Sequence, residues 1–365
     1  MMRRRYFASL CTLALLVALI SFAAISMSGQ TAAPKAAPKA AAPAQKAAPL
    51  PKPGPAPRTS WGTPDLQGTW FIMESVPLER SAANANKQFL TEDEVAAADR
   101  QKSVDPGRNA RAAGNQDVSG AYNAVFNSVL RTSKRTSMII DPPDGRIPPL
   151  TPEAQQRQGA RGGGGRGAGG VGALGLGPIN DNPETVAQSP RCLGVQMPFL
   201  PINTLFAQGT VMQIVQGPKS MAIYMEDDHA GGGNRVIFMD GRPHAPATSR
   251  SVLGDSRGRW EGNTLVVETT NFASNFANQA LNPVRAANAD TFKMTERFTR
   301  IDSNNLRREI TFEDTKTWTR PWTIMLEMGK TDDKKHMIFD SACHEGNYGL
   351  TSILVGARKE EAGKK

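Results

Sequence analysis

The sequence predicts a mainly β domain, an antiparallel β-barrel or β-sandwich with a few short peripheral helices; a calycin-like barrel is one form this allows. Three observations carry that expectation. From about residue 210 onward, short runs alternate apolar and polar residues, as in Trp322-Thr323-Ile324-Met325-Leu326-Glu327-Met328, giving one dry and one wet face. Tight-turn residues punctuate these runs at Asp240-Gly241, Gly262-Asn263 and Asp302-Ser303-Asn304-Asn305. The 365 residues, 39% hydrophobic and 21% charged, suit one or two globular domains and exclude collagen, a disulfide miniprotein and a multi-span membrane protein.

The N-terminus has a different character. Arg3-Arg4-Arg5 precede an apolar run from Tyr6 to Met27 and then small residues, the order of a secretory signal over residues 1–30. The run is also long enough to span a bilayer as an uncleaved signal anchor, with the arginines held inside. Both readings export the body of the chain, which is expected to be periplasmic or secreted, and the second ties it to the inner membrane through residues 6–27. Residues 31–58 hold 8 Pro, 11 Ala and 4 Lys in 28 positions, a disordered linker that cannot bury a core.

Charge follows the same division. The formal net charge is +9, but residues 1–58 carry eight Lys and Arg and no Asp or Glu, which leaves +1 for the remainder. A nearly neutral body without a run of Lys and Arg interleaved with aromatics excludes nucleic acid as a partner.

A single domain is expected over residues 59–358, with a charged tail at 359–365. Trp61 and Trp70 in WGTPDLQGTW read as packing anchors at its start. Thr91-Glu92-Asp93-Glu94 is a capping box, so a helix is expected over about 92–102. Thr136–Ile140 reads as a strand stopped by Asp141-Pro142-Pro143, and Thr151-Pro152-Glu153 starts a second short helix. Residues 159–177 hold 11 glycines in 19 positions without the flanking strand and helix of a phosphate loop, so they are expected to be a flexible insertion. Strands are then expected over 211–215, 220–225, 235–239, 264–269, 292–300, 306–312, 322–328 and 336–340.

In an exported chain Cys192 and Cys343 form the economical disulfide pair, with Cys11 inside the leader.

The stretches DPPDGRIPPLTPEA (141–154), DGRPH (240–244), GDSRGRWEGNTLVVETTNF (254–272), ERFTRID (296–302), TWTRPWT (317–323) and ACHEGNYGL (342–350) carry a resemblance. In them the chain resembles an uncharacterised family of exported, signal-peptide-bearing soil-bacterial proteins. The resemblance covers roughly residues 60–358 and implies export and one domain, but no reaction.

Two polar groups can carry chemistry. The first runs from Glu226 to Glu261 and includes His229, Asp240, Arg242, His244, Asp255, Arg257, Arg259 and Trp260, read as strand-end loops that a rigid sheet gathers. The second is Cys343-His344-Glu345, an imidazole and a carboxylate on a disulfide-held platform. His344 or His244 as general base with Asp240, Asp255 or Glu345 as orienter would serve a hydrolase or lyase. Arg242, Arg257, Arg259, His229, His244 and Trp260 would instead hold a small polar, anionic or sugar-like ligand. His229, His244 and His344 lack close metal-ligand spacing, so no metal site is expected, and no cofactor is identified. Three functions stay open: a ligand-binding module, a His/carboxylate enzyme, and a structural part of an envelope assembly. The sequence leaves the oligomeric state open.

Overall fold

A closed ring of nine strands forms the body of the molecule. The computed structural model describes residues 55–104, 131–160, 182–183, 186, 191–193, 211–225, 233–274, 276, 284, 286–331, 338 and 342–363. All lie in one compact unit, Pro53–Lys365. The leader, most of the linker, residues 161–177 of the glycine insertion, His229 and the strand expected at 336–340, except Ile338, lie outside the described residues.

The ring is built from β1 (Gly68–Ile72), β5 (Met212–Gln216), β6 (Ser220–Met225), β7 (Gly233–Phe238), β8 (Asp255–Glu261), β9 (Thr264–Thr270), β10 (Lys293–Arg300), β11 (Asn305–Glu313) and β12 (Trp322–Lys330) in that order, and β12 pairs back onto β1 to close it. On the side of β12 away from β11, β4 (Ile139–Asp141) pairs near its start and β1 near its end. β2 (Glu74–Ser75) and β3 (Arg131–Thr132) form a small parallel pair outside the ring. The barrel is therefore mixed rather than wholly antiparallel. β7 and β8 run parallel, with Ile237 opposite Ser256. The physical reason is the connection: the turn expected at Asp240-Gly241 opens into a 16-residue crossover, 239–254, instead of a hairpin.

Period-2 alternation fills the interior. Met294 and Phe298 of β10, Leu306, Ile310 and Phe312 of β11, and Trp322, Ile324, Leu326 and Met328 of β12 all point into one core. Phe272, Phe276, Phe292, Phe312, Trp318 and Trp322 form a continuous aromatic cluster, with neighbouring centroids 4.4–6.3 Å apart. Trp70 is buried under the Arg300 guanidinium at 4.4 Å, whereas Trp61 is 40% exposed and lies outside the core cluster.

Three helices are described: α1 (Glu92–Val104), α2 (Pro152–Ala160) and α3 (Gly349–Gly363). Both arms of the α1 capping box are made: the Glu94 amide donates to Thr91 Oγ1 at 3.3 Å, and the Thr91 amide donates to Glu94 Oε2 at 2.8 Å. The Lys87 ammonium and the Thr91 amide hold the Glu94 carboxyl down at about 2. A carboxylate depressed in the folded state contributes its stabilisation above its unfolded pKa and loses it as pH falls toward 2. Carboxyl-carbon NMR is expected to show Glu94 titrating near 2, and Thr91→Ala should lower stability by about 1 kcal/mol in urea unfolding. α3 is a departure from expectation. Its run through residue 363 takes in most of the stretch read as a charged tail, because Leu350, Ile353, Leu354 and Ala357 recur at helical spacing ahead of it.

Cys192 and Cys343, 151 positions apart in sequence, are joined, with Cα atoms 5.6 Å apart. The bond encloses the span of chain that supplies β5 to β12.

Candidate functional site

Residues 255–261, expected in strand-end loops, form strand β8 instead. The two-residue turn at Gly262-Asn263, with Gly262 at φ +59°, folds β8 back on β9 in full register from Asp255–Thr270 to Glu261–Thr264. Gly254 enters the strand at φ +68°, where a Cβ would lie 2.7 Å from the Thr270 carbonyl oxygen. Pleating then sorts the side chains: Ser256 and Gly258 face the core, while Asp255, Arg257, Arg259 and Glu261 face outward.

On that outward face the crossover is strapped down. Arg257 Nε donates to the Pro243 carbonyl at 2.9 Å, and Asn271 Nδ2 donates to the Ala245 carbonyl at 2.9 Å. The Ser251 amide donates to the Asn271 carbonyl at 3.1 Å. These bonds fix His244 between two carboxylates. Its Nδ1 lies 2.7 Å from Asp255 Oδ2, and its Nε2 lies 3.4 Å from Glu268 Oε1. Asp255 is itself held, because Oδ2 accepts from the Ala245 amide at 3.1 Å and Oδ1 pairs with Arg257 Nη1 at 2.7 Å. The His244 side chain is 26% exposed, so its ring is oriented from below and reachable from solvent.

The group continues to both sides. Asp240 and Arg242 make a bidentate pair at 2.8–2.9 Å, which lowers the Asp240 carboxyl, and the guanidiniums of Arg242 and Arg257 lie 4.3 and 5.2 Å from the Phe238 ring centroid. Lys293 bonds Glu313 at 2.6 Å, which raises its ammonium, and reaches Glu268 at 3.8 Å.

Five of the expected site residues are thus gathered: Asp240, Arg242, His244, Asp255 and Arg257. Of the others, His229 lies outside the described residues, and Arg259, Trp260, His344 and Glu345 are not in this group. Arg259 shares Glu261 with Arg297, at 2.9 and 3.0 Å. Trp260 packs against the core, because its place in β8 is on the inward phase. His344 and Glu345 sit exposed beside the disulfide, and no hydrogen bond or ion pair among the described residues joins them to His244. Among the described residues no cluster of His, Cys, Asp or Glu could hold a metal ion, and no helix is long and apolar enough to cross a membrane.

A second polar group, inside the barrel, escaped the sequence reading. Arg235 (β7), Glu296 (β10) and Arg308 (β11) are 0–2% exposed. Glu296 Oε1 accepts from Arg308 Nη2 at 2.7 Å and Nε at 3.0 Å, while Oε2 pairs with Arg235 Nη2. Arg235 also donates to Ser256 Oγ at 2.9 Å and Thr269 Oγ1 at 2.6 Å. Burial pushes the Glu296 carboxyl up, but the two guanidiniums outweigh it and hold the group below the usual carboxylate range. Burial also lowers the Arg308 guanidinium; Glu296 opposes this, and the like charge of Arg235 adds to it. The available signal was phase. Glu296 falls between Met294 and Phe298, and Arg308 between Leu306 and Ile310, on the inward positions of their strands.

Comparison with models of known families, with curated proteins and with solved structures returns no match to this chain. The fold and site geometry therefore stand alone: a closed mixed β-barrel with an oriented His–Asp pair on its outer face.

Proposed function

We propose that this is an exported β-barrel domain that binds a small, polar, sugar-like ligand on the outer face of β8 and β9, around His244. The observation that carries the reading is the His244–Asp255 pair at 2.7 Å, partly exposed, on strands rather than on a free loop. Charge balance argues for a neutral ligand over an anionic one. Arg242, Arg257 and Lys293 are each already paired with a carboxylate, so no cation of the group is left over for an anion. What the face offers is His244 and Glu268, an adjacent donor and acceptor set suited to hydroxyl groups. The proposal includes export and tethering through residues 6–27, as the family resemblance and the leader suggest.

A second reading has its own observation. His244 facing Asp255 through Nδ1, with Nε2 on the other side, is the geometry of a general base and its orienter, so a hydrolase or lyase would use His244 with Asp255.

Histidine-ring NMR tests both. Titration with neutral mono- and disaccharides is expected to move the His244 ring resonances and leave those of His344 in place, while gluconate moves neither. His244→Gln should abolish the response. Movement of His344 alone, or of no ring at all, contradicts the binding reading. Turnover of an aryl glycoside or ester that vanishes in His244→Gln would replace it with the enzymatic one.

A further inference from the structure

At the His244 site two hydrogen-bond acceptors face each other. Asp255 Oδ2 lies 2.7 Å from His244 Nδ1 and accepts from the Ala245 amide, while Oδ1 pairs with Arg257, so Asp255 is an ionised acceptor and Nδ1 carries the ring proton. In the neutral ring Nε2 is therefore a lone pair. It lies 3.4 Å from Glu268 Oε1, a second acceptor and a charged one. Lys293 reaches Glu268 only at 3.8 Å and bonds Glu313 at 2.6 Å instead. Arg257, opposite Glu268 across the β8–β9 pair, directs its guanidinium to Asp255 and to the carbonyls of Pro243 and Ser256. Arg242, Arg257 and Lys293 thus match Asp240, Asp255 and Glu313, and Glu268 is the unmatched charge of the group. The His244 and Glu268 side chains are 26% and 37% exposed, so a ligand can reach both.

We infer that the sugar-like ligand is an amino sugar, whose protonated amine sits between His244 Nε2 and Glu268 Oε1. This rests on the binding reading above and adds the charge of the ligand. An ammonium has three donors and no acceptor, so it can give one hydrogen bond to each facing acceptor and supply the positive charge that Glu268 lacks. A hydroxyl has one proton and satisfies only one of them. A ring proton on Nε2 would also separate the two acceptors, and the ligand's ammonium takes that proton's place. Two ligating atoms are too few for a metal, in keeping with the absence of a metal-binding cluster among the described residues. Thr295 stands opposite Glu268 on the outward phase of β10 and offers a hydroxyl to those of the sugar.

The test is a titration of the full chain at pH 7, followed by the His244 ring resonances, with glucosamine, glucose, N-acetylglucosamine and methylamine at matched ionic strength. Glucosamine should bind about tenfold more tightly than either neutral sugar, the difference between a charge-assisted and a neutral hydrogen bond. It should also bind more tightly than methylamine, which has the charge without the sugar ring. Added salt should narrow the preference, because the carboxylate is partly exposed. In Glu268→Gln, glucosamine should fall to the level of glucose. Equal binding of glucosamine and glucose, with His244 responding to both, overturns this inference and leaves the binding reading standing. Methylamine binding as tightly as glucosamine, or a preference that survives in Glu268→Gln, overturns it as well. If no sugar moves the His244 ring, the binding reading itself fails and the inference falls with it.

Discussion

Replacing Glu296 with Gln is expected to destabilise the protein by about 3–5 kcal/mol, the usual consequence of stripping one partner from a buried ion pair. The size follows from the surroundings. Glu296 is 0% exposed, and its two oxygens serve both Arg235 and Arg308, so its loss leaves two guanidiniums facing each other in the core. Urea unfolding at pH 7 measures the effect. Replacing the whole network, as Arg235→Met, Glu296→Leu and Arg308→Met together, should recover most of the loss, because no charge then remains to be solvated. Acid gives the same information in another way. The Glu296 carboxyl is depressed in the folded state, so its contribution is complete above the unfolded carboxylate pKa of about 4.3 and is lost as pH falls through the lower folded value. Stability of the wild type should therefore fall more steeply, as pH drops below about 4.3, than that of the triple variant.

Reduction of the Cys192–Cys343 bond is the second large effect. Cross-linking residues 151 positions apart should stabilise the fold by about 4–5 kcal/mol by restricting the unfolded chain. The bond spans the segment that contributes eight of the nine ring strands, so loop closure across most of the barrel depends on it. Cys192→Ser with Cys343→Ser should lower the urea midpoint without moving the His244 ring resonances, since no bond among the described residues links Cys343, His344 or Glu345 to the β8–β9 face. A midpoint equal to that of the wild type would show that the bond is absent or idle in solution.

The sequence announces most of the barrel and half of the site. Strands β5, β6, β7 and β9 to β12 are legible because each shows its buried face as an apolar phase between turn residues. β8 is not, because Asp255, Arg257, Arg259 and Glu261 put charge on its wet face while Ser256 and Gly258 leave its dry face without a large apolar residue. The same masking made the polar stretch around it look like loops. The crossover that makes β7 and β8 parallel is hidden for a related reason. Asp240-Gly241 has the composition of a hairpin turn, and only the pairing of Ile237 with Ser256 distinguishes the two outcomes.

The residues of the first polar stretch cluster along the chain, yet folding divides them. Pleating turns Asp255 and Arg257 toward the strapped crossover, where they meet His244, and turns Trp260 inward to pack. His344 is carried by a different tether, the disulfide. The buried network is the converse case. Its members are 61 and 12 positions apart, and they meet only where three facing strands place them, although each is a charged residue on the inward phase of its strand.

Closure of the sheet is what the whole account depends on. Arg235 on β7 and Glu296 on β10 are separated by two intervening strands, about 14 Å in a flat sheet at ~4.8 Å per strand, and they touch because the sheet curls round on itself. A double-mutant cycle with Arg235→Met and Glu296→Gln measures that contact directly. A closed barrel predicts a coupling above about 1 kcal/mol between the two positions. Independent, additive losses would contradict it.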